Sequence, residues 1–383
     1  MPEVVFLTRI LTHYRVPFHD AVRKELASAG INYRVLHGAP RRDEASKGDT
    51  ADLDWSEPAT NLYLGPSDKL VWQRVLGLVR GADLVIMGQE NALLSNYALH
   101  LWRRFGGPRL AFFGHGRNFQ SRRPRGLAER FKRLWMSQVD WWFAYTELSA
   151  DIVASAGVPR DRITVFNNAI DTSGLRQEMA QLDPIRQHHL RQELFSGSNN
   201  IGVYVGGLYA EKRLRFLLDA AEQIRARVPD FQLLVVGGGP EADLVEQAAA
   251  KWPWLHYVGP RFGLEKTRLV ALARVFLMPG LVGLGVLDAF AYGLPMITTD
   301  ISYHSPEFAY LRDGENGMVV RSANDAAGYA DDVAVLLLDR ARLERLARNA
   351  AASAEDYTIE AMAHRFANGV RQALRASPPS KRL

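Results

Sequence analysis

Short apolar runs ending on glycine or a polar turn alternate with helix-length segments along this chain, and that rhythm restricts the fold more than any other feature. Val4–Leu7, Asn32–Leu36, Asp83–Met87, Arg109–Phe113, Trp141–Thr146 and Ile163–Asn167 read as strands. Between them, Pro17–Ala27, Lys69–Val79, Ala92–Arg104 and Ser149–Ala156 read as helices, the first with Phe18, Val22 and Leu26 on one face. Residues 38–68 are polar and rich in charge and turn formers, which predicts a loop excursion. Strands separated in this way by helices predict a parallel sheet covered on both faces.

The rhythm breaks over residues 171–200, where a polar stretch ending in Ser-Gly-Ser-Asn-Asn reads as a linker with a helix inside it. It then resumes, with strands at Gly202–Val205, Gln232–Val236, His256–Val258, Val275–Met278 and Met296–Thr298. Helices follow at Leu214–Arg227, Ala242–Lys251 and Gly285–Tyr292. The result is an α/β protein of two Rossmann-like halves without an internal repeat, and a length of 383 residues suits two domains. An apolar share of 47% and a charged share of 23% exclude a disordered chain. The absence of cysteine removes disulfides, thiol nucleophiles and cysteine-ligated metals together. The opening apolar run reaches Arg9 before a signal-peptide core could form, and no stretch approaches the roughly 20 apolar residues of a membrane span. A cytoplasmic protein is expected, at most one held at the inner face of the membrane.

Charge is unevenly spread. The net charge is +5, but residues 100–135 carry ten Lys/Arg against the single acid Glu129, interleaved with Trp102, Phe105, Phe112, Phe113, Phe119, Phe131 and Trp135. Docking on an anionic membrane surface fits this pattern. A solvated face over core aromatics is the plainer alternative. Nucleic-acid binding is disfavoured, since no recognised binding module accompanies the charge.

Three segments carry chemistry. In "VYVGGLYAEKR" (203–213) a strand ends at Gly206-Gly207 and Lys212 opens a helix, so backbone amides and a cation can meet a phosphate. The alternative is a glycine turn before a solvated Lys-Arg pair. In "MPGLVGLGVLDAFAYGLPMITTD" (278–300) glycines let the Gly280–Leu284 backbone approach a ligand as an anion nest, and Asp288 suits a ribose diol. Asp288 would otherwise only favour the helix start. In "FFGHGRNF" (112–119) His115 stands past a strand end, where open parallel sheets place their ligands. "VVGGGPE" (235–241) has the wrong spacing for a dinucleotide fingerprint.

Taken in order, "VGGLYAEKR", "LLVVGGGPE", "HYVGP", the 278–300 block and "PEF…DGENGMVV" resemble the family-4 retaining glycosyltransferases (glycosyl transferases group 1) of GT-B fold. The resemblance implies two Rossmann-like domains facing each other across a cleft: 1–170 on the acceptor side and 171–355 on the nucleotide-sugar side. It implies, for 356–383, a last helix returning to the first domain plus a basic tail. It places Lys212 on the donor diphosphate, His115 at the donor sugar, and Gly259 to Arg261 beside the base. The family's arginine falls on Gly207, and its paired glutamates on Gly280 and Asp288. Arg213, or Arg15 in "THYRVPF", would supply the missing charge. The implied reaction moves a sugar from a nucleotide diphosphate donor to a saccharide or lipid-linked acceptor in bacterial cell-surface polysaccharide or glycolipid assembly. No cofactor and no metal are expected. A nucleotide-sugar epimerase or hydrolase, and a non-catalytic sugar-binding relative, stand as alternatives.

Overall fold

The computed structural model describes residues 1–41, 50–65, 69–117, 135–321 and 323–377. The chain divides into two compact units, Met1–Asp171 with Thr358–Leu383, and Thr172–Tyr357.

The first unit is built on a seven-stranded parallel sheet. In chain order its strands are β1 (Glu3–Thr8), β2 (Asn32–His37) and β3 (Glu57–Pro58), then, after a separate hairpin of β4 (Asn61–Leu64) and β5 (Leu70–Gln73), β6 (Leu84–Gly88), β7 (Arg109–Gly114), β8 (Trp141–Ala144) and β9 (Ile163–Val165). Their spatial order is β3-β2-β1-β6-β7-β8-β9. The chain therefore reverses its direction of winding between β1 and β6, the switch point where such sheets open a crevice.

The helix expected at 69–79 is not there. Leu70–Gln73 pairs antiparallel with Asn61–Leu64, placing Trp72 opposite Leu62 and Val71 opposite Tyr63. Turns then carry the chain to Ala82. The Leu-Val-Trp-Gln run suits a pleated surface, and buried Gln73 fixes the hairpin by donating to the Thr8 carbonyl at the end of β1, 2.9 Å away. Part of the excursion at 38–68 is thus strand, while 42–49 and 66–68 lie outside the described residues.

The final helix, Ile359–Arg375, packs on the helix Val16–Ser28. Ile359, Met362, Ala363, Phe366, Val370 and Ala373 make one buried stripe at helical spacing. Phe366 enters an aromatic cluster with Phe143 at 4.3 Å and Phe18 at 5.2 Å between ring centres. Arg109 donates to the Ala373 and Leu374 carbonyls at 2.7 Å, meeting the helix's unpaired C-terminal end with a cation.

The second unit holds a six-stranded parallel sheet of β10 (Ile201–Val205), β11 (Gln232–Val236), β12 (Leu255–Tyr257), β13 (Val275–Leu277), β14 (Met296–Thr299) and β15 (Gly317–Val320), in the order β12-β11-β10-β13-β14-β15. Its switch point falls between β10 and β13. The segment read as a linker forms two helices of this unit, Ser173–Ala180 and Pro184–Phe195, the second started by Asp183 accepting from the Ile185 amide at 2.8 Å. Among the described residues, no helix is long and apolar enough to cross a membrane.

Candidate functional site

The sequence-predicted residues fall into two groups, one in each unit, and all but Gly259 and Arg261, which follow β12, gather at that unit's switch point. In the second unit, the chain leaving β10 (206–213) meets the chain leaving β13 (278–284). The Leu281 amide donates to the Glu211 carbonyl at 2.8 Å, and Lys212 Nζ donates back to the Leu281 carbonyl at 2.6 Å. This reciprocal staple requires Gly280: a Cβ there would sit 2.3 Å from the Lys212 carbonyl carbon and 2.5 Å from the Glu211 oxygen. Lys212 is 9% exposed, and burial pulls its ammonium down to about 8. An ammonium has three donors, of which Leu281 takes one.

The anion nest expected of Gly280–Leu284 is narrower than its five amides. Leu281 is committed to Glu211, and the Val282 amide donates to His304 Nδ1 at 3.0 Å. Gly280, Gly283 and Leu284 carry the remaining amides of the segment. Arg213 does not turn its charge to this loop as a spare cation. Its NH1 approaches Thr299 Oγ1 at 3.2 Å and the Pro279 carbonyl at 3.5 Å, its NH2 donates to Asn324 Oδ1, and the guanidinium lies 4.3 Å over Phe216. It braces the ends of β13 and β14, from a left-handed backbone with φ of 58°. That conformation is costly for a non-glycine residue.

The other residues of this group frame the junction. Gly207 leaves room for the Tyr209 ring, which a Cβ would meet at 2.8 Å. Half-buried Asp288 lies in the first turn of the helix Gly285–Ala291, and burial raises its carboxyl above the usual range, against the pull of Lys266. Gly259 follows β12 with φ of 68° and accepts from the Gly237 amide at 3.0 Å. Arg261 is held by Glu265 at 2.8 Å and by the Pro260 carbonyl, and leads to Phe262, 81% exposed. The glycine run 237–239 has a packing cause: a Cβ at Gly237 would fall within 1.9 Å of the Gly206 carbonyl oxygen.

In the first unit, the ends of β1, β6 and β7 open on a pocket of about 300 Å³ at the switch point. His115 and Arg15 both line it. His115 lies against Tyr145 with ring centres 4.0 Å apart. Arg15, 8% exposed, has its NH2 3.0 Å from the Tyr145 hydroxyl and its guanidinium about 5 Å from the rings of Tyr14, Phe113 and Tyr145. Arg9 and Glu90 pair across the rim at 3.6 Å. His19, which sequence reasoning missed, also lines the pocket. Its Nδ1 lies 2.9 Å from Tyr33 Oη, and burial, with Arg15 beside it, pushes it down to about 3, so it is neutral. His304 was missed as well, although it follows the end of β14 as His115 follows β7, the same positional signal.

Two doubly wound parallel units, each with polar loops gathered at its switch point, define the GT-B class of fold. HepE of Anabaena, solved in complex with UDP, has this fold: the structures align with a TM-score of 0.69 over 97% of this chain and 100% of that one, at 16% identity. The family model described as Glycosyltransferase Family 4 matches residues 20–173, and that described as Glycosyl transferases group 1 matches 199–339. The chain belongs to this glycosyltransferase family. Phosphatidyl-myo-inositol mannosyltransferase of Mycobacterium leprae is 32% identical over 145 residues, 36% of this chain and 38% of that protein. The match thus spans well under half of that relative's length. EpsD of Bacillus subtilis is 25% identical over 345 residues, 85% of each chain.

Proposed function

We propose that the protein is a retaining glycosyltransferase that takes a sugar from a nucleotide diphosphate donor and passes it to a saccharide or lipid-linked saccharide, in assembly of a bacterial surface polysaccharide or glycolipid. The observation that carries this reading is the staple between Lys212 and the Leu281 backbone at the second unit's switch point. Negative charge accumulates on the leaving diphosphate as the glycosidic bond breaks. A buried ammonium with donors to offer, bound to the loop that also carries the Gly283 and Leu284 amides, stabilises that charge far better than water does. Asp288 takes the ribose, and the Gly259–Arg261 turn lies beside the base. The first unit's pocket, with His115 and Arg15, takes the transferred sugar and acceptor. The test is turnover with UDP-, GDP- and dTDP-sugars, with and without lipid-linked acceptors. Sugar released from donor alone indicates a hydrolase, and binding without turnover across the panel indicates a sugar-binding relative.

His115 acts on the sugar in this scheme. His115→Ala therefore cuts transfer by about 10²-fold or more, while UDP or GDP affinity measured by calorimetry stays within a few-fold. Equal loss of nucleotide affinity would move the histidine to the nucleotide.

The acceptor side is also proposed to dock on anionic lipid. Much of the basic segment, including Arg122, Arg123 and Arg125, lies outside the described residues. Within them, Arg103 is tied to Asp140 and Arg109 to the last helix, whereas Leu101 and Phe105 are 60% and 80% exposed at the end of the helix Leu94–Arg104. Replacing Leu101 and Phe105 with serine, and separately Arg122, Arg123 and Arg125 with glutamine, lowers pelleting with anionic vesicles. The wild-type pelleting fades as salt shortens the Debye length from ~10 Å to ~3 Å. Unchanged pelleting in both variants would remove the membrane from the reading.

A further inference from the structure

His304 lies in the short segment between β14 and the 3-10 turn Pro306–Tyr310, 5% exposed. Its ring stacks on Phe308 at 4.2 Å and 12°. Both ring nitrogens are spoken for, and the two partners fix their roles. The Val282 amide is a donor, so Nδ1 at 3.0 Å must be an acceptor; the Thr299 carbonyl is an acceptor, so Nε2 at 2.8 Å must carry the proton. One neutral tautomer satisfies both bonds.

From this we infer that His304 is a positioning residue: through Nδ1 it fixes the Val282 amide, and with it the direction in which the neighbouring Gly283 and Leu284 amides point, so that the 280–284 segment is pre-formed for a phosphate. The inference rests on the donor reading given above. Two neighbouring segments converge on 280–284. Glu211 and Lys212 hold Leu281 from the β10 side, and His304 holds Val282 from the β14 side. The Ser305 amide then donates to the Val282 carbonyl at 2.9 Å. Val282 is therefore gripped at both its amide and its carbonyl by consecutive residues. A protonated ring would point N–H at N–H and give up its hold on the Val282 amide. Burial opposes that protonation and brings the ring down to about 4. Nearby Lys212 reinforces it, while the bond to Thr299 and nearby Asp300 pull the other way.

The test uses the full-length protein with three variants and two readouts. His304→Phe keeps a ring for Phe308 but gives Val282 no acceptor. His304→Asn keeps an acceptor close to the place of Nδ1, and His304→Gln keeps a donor close to the place of Nε2. Affinity for UDP and GDP falls about tenfold or more in the Phe and Gln variants, the cost of one hydrogen bond to a buried group, and within about threefold of wild type in the Asn variant. Affinity for uridine or guanosine is unchanged in all three. Independently, nitrogen-15 shifts of the imidazole report an unprotonated Nδ1 and a protonated Nε2 at neutral pH, with no ligand needed. Full diphosphate affinity in His304→Phe, an Asn variant no better than Phe, parallel loss of nucleoside binding, or the opposite tautomer would each overturn the inference. A wild-type protein that binds no nucleoside diphosphate removes the donor reading itself, whereas normal wild-type binding untouched by His304→Phe removes only the role of His304.

Discussion

Lys212→Ala lowers kcat by about 10²–10³ with the fold intact, the loss typical of removing one preorganised donor from a developing charge. The interaction strengthens as the diphosphate departs, so the change falls on kcat more than on KM. Asp288→Ala gives the contrasting pattern. The ribose does not change during the reaction, so its contact is uniform, and donor KM rises with kcat largely kept. Lys212 also sets a pH limb. Its ammonium is pulled down to about 8 by burial; below that pH it is charged and attracts the diphosphate, and above it the charge is lost. The kcat/KM for donor, which reports the free enzyme, therefore falls as pH rises through about 8. In Lys212→Arg that limb disappears, because a guanidinium stays charged throughout this range. Steady-state kinetics with circular dichroism as a folding control measures all of this. The reverse kcat and KM pattern would exchange the two roles, and full activity in both alanine variants would sink the site.

Local sequence carried some of this and could not carry the rest. The helices Leu214–Arg227 and Ala242–Lys251 have the bounds that periodicity gave them, because their apolar stripes are local and uninterrupted. Residues 69–79 misled because Leu70–Gln73 is a hairpin strand whose partner, and whose anchor at Thr8, lie elsewhere in the chain. The same limit governs the site. Glycines, a lysine and His115 at strand ends are legible as candidates, but that the ends of β1, β6 and β7 meet at one switch point and those of β10 and β13 at the other is a matter of strand order, which local sequence does not carry. The staple between Glu211 and Leu281 joins residues about 70 apart, and the His304 bond to Val282 crosses from one strand end to the next. No spacing rule reports such contacts. Arg213 shows the converse: as a sequence it is a spare cation, and only packing reveals a brace with its charge already engaged.

Gly280 is where these two levels disagree most, and it gives the second large effect. The family resemblance implies a glutamate where Gly280 stands, so Gly280→Glu would restore activity if the position were merely vacated. The structure gives the opposite sign. Any Cβ at 280 enters the space of the Lys212 and Glu211 backbone, at 2.3 Å, 2.4 Å and 2.5 Å from three main-chain atoms, none of which can swing aside as a side chain would. The backbone must part, which separates Leu281 from Glu211 and draws Lys212 Nζ off its carbonyl. Overpacking of this kind costs about 1–3 kcal/mol of stability. A displacement of about 1 Å at a charge-stabilising group costs on the order of 10²-fold in rate. Gly280→Ala already carries the steric part, so it loses most of the activity, and Gly280→Glu loses at least as much. The comparison of the two separates clash from chemistry. If alanine is inactive and glutamate equally so, close backbone approach is the reason for the glycine. An active Gly280→Glu would mean that the loop tolerates the side chain and that the staple is not what orders the site.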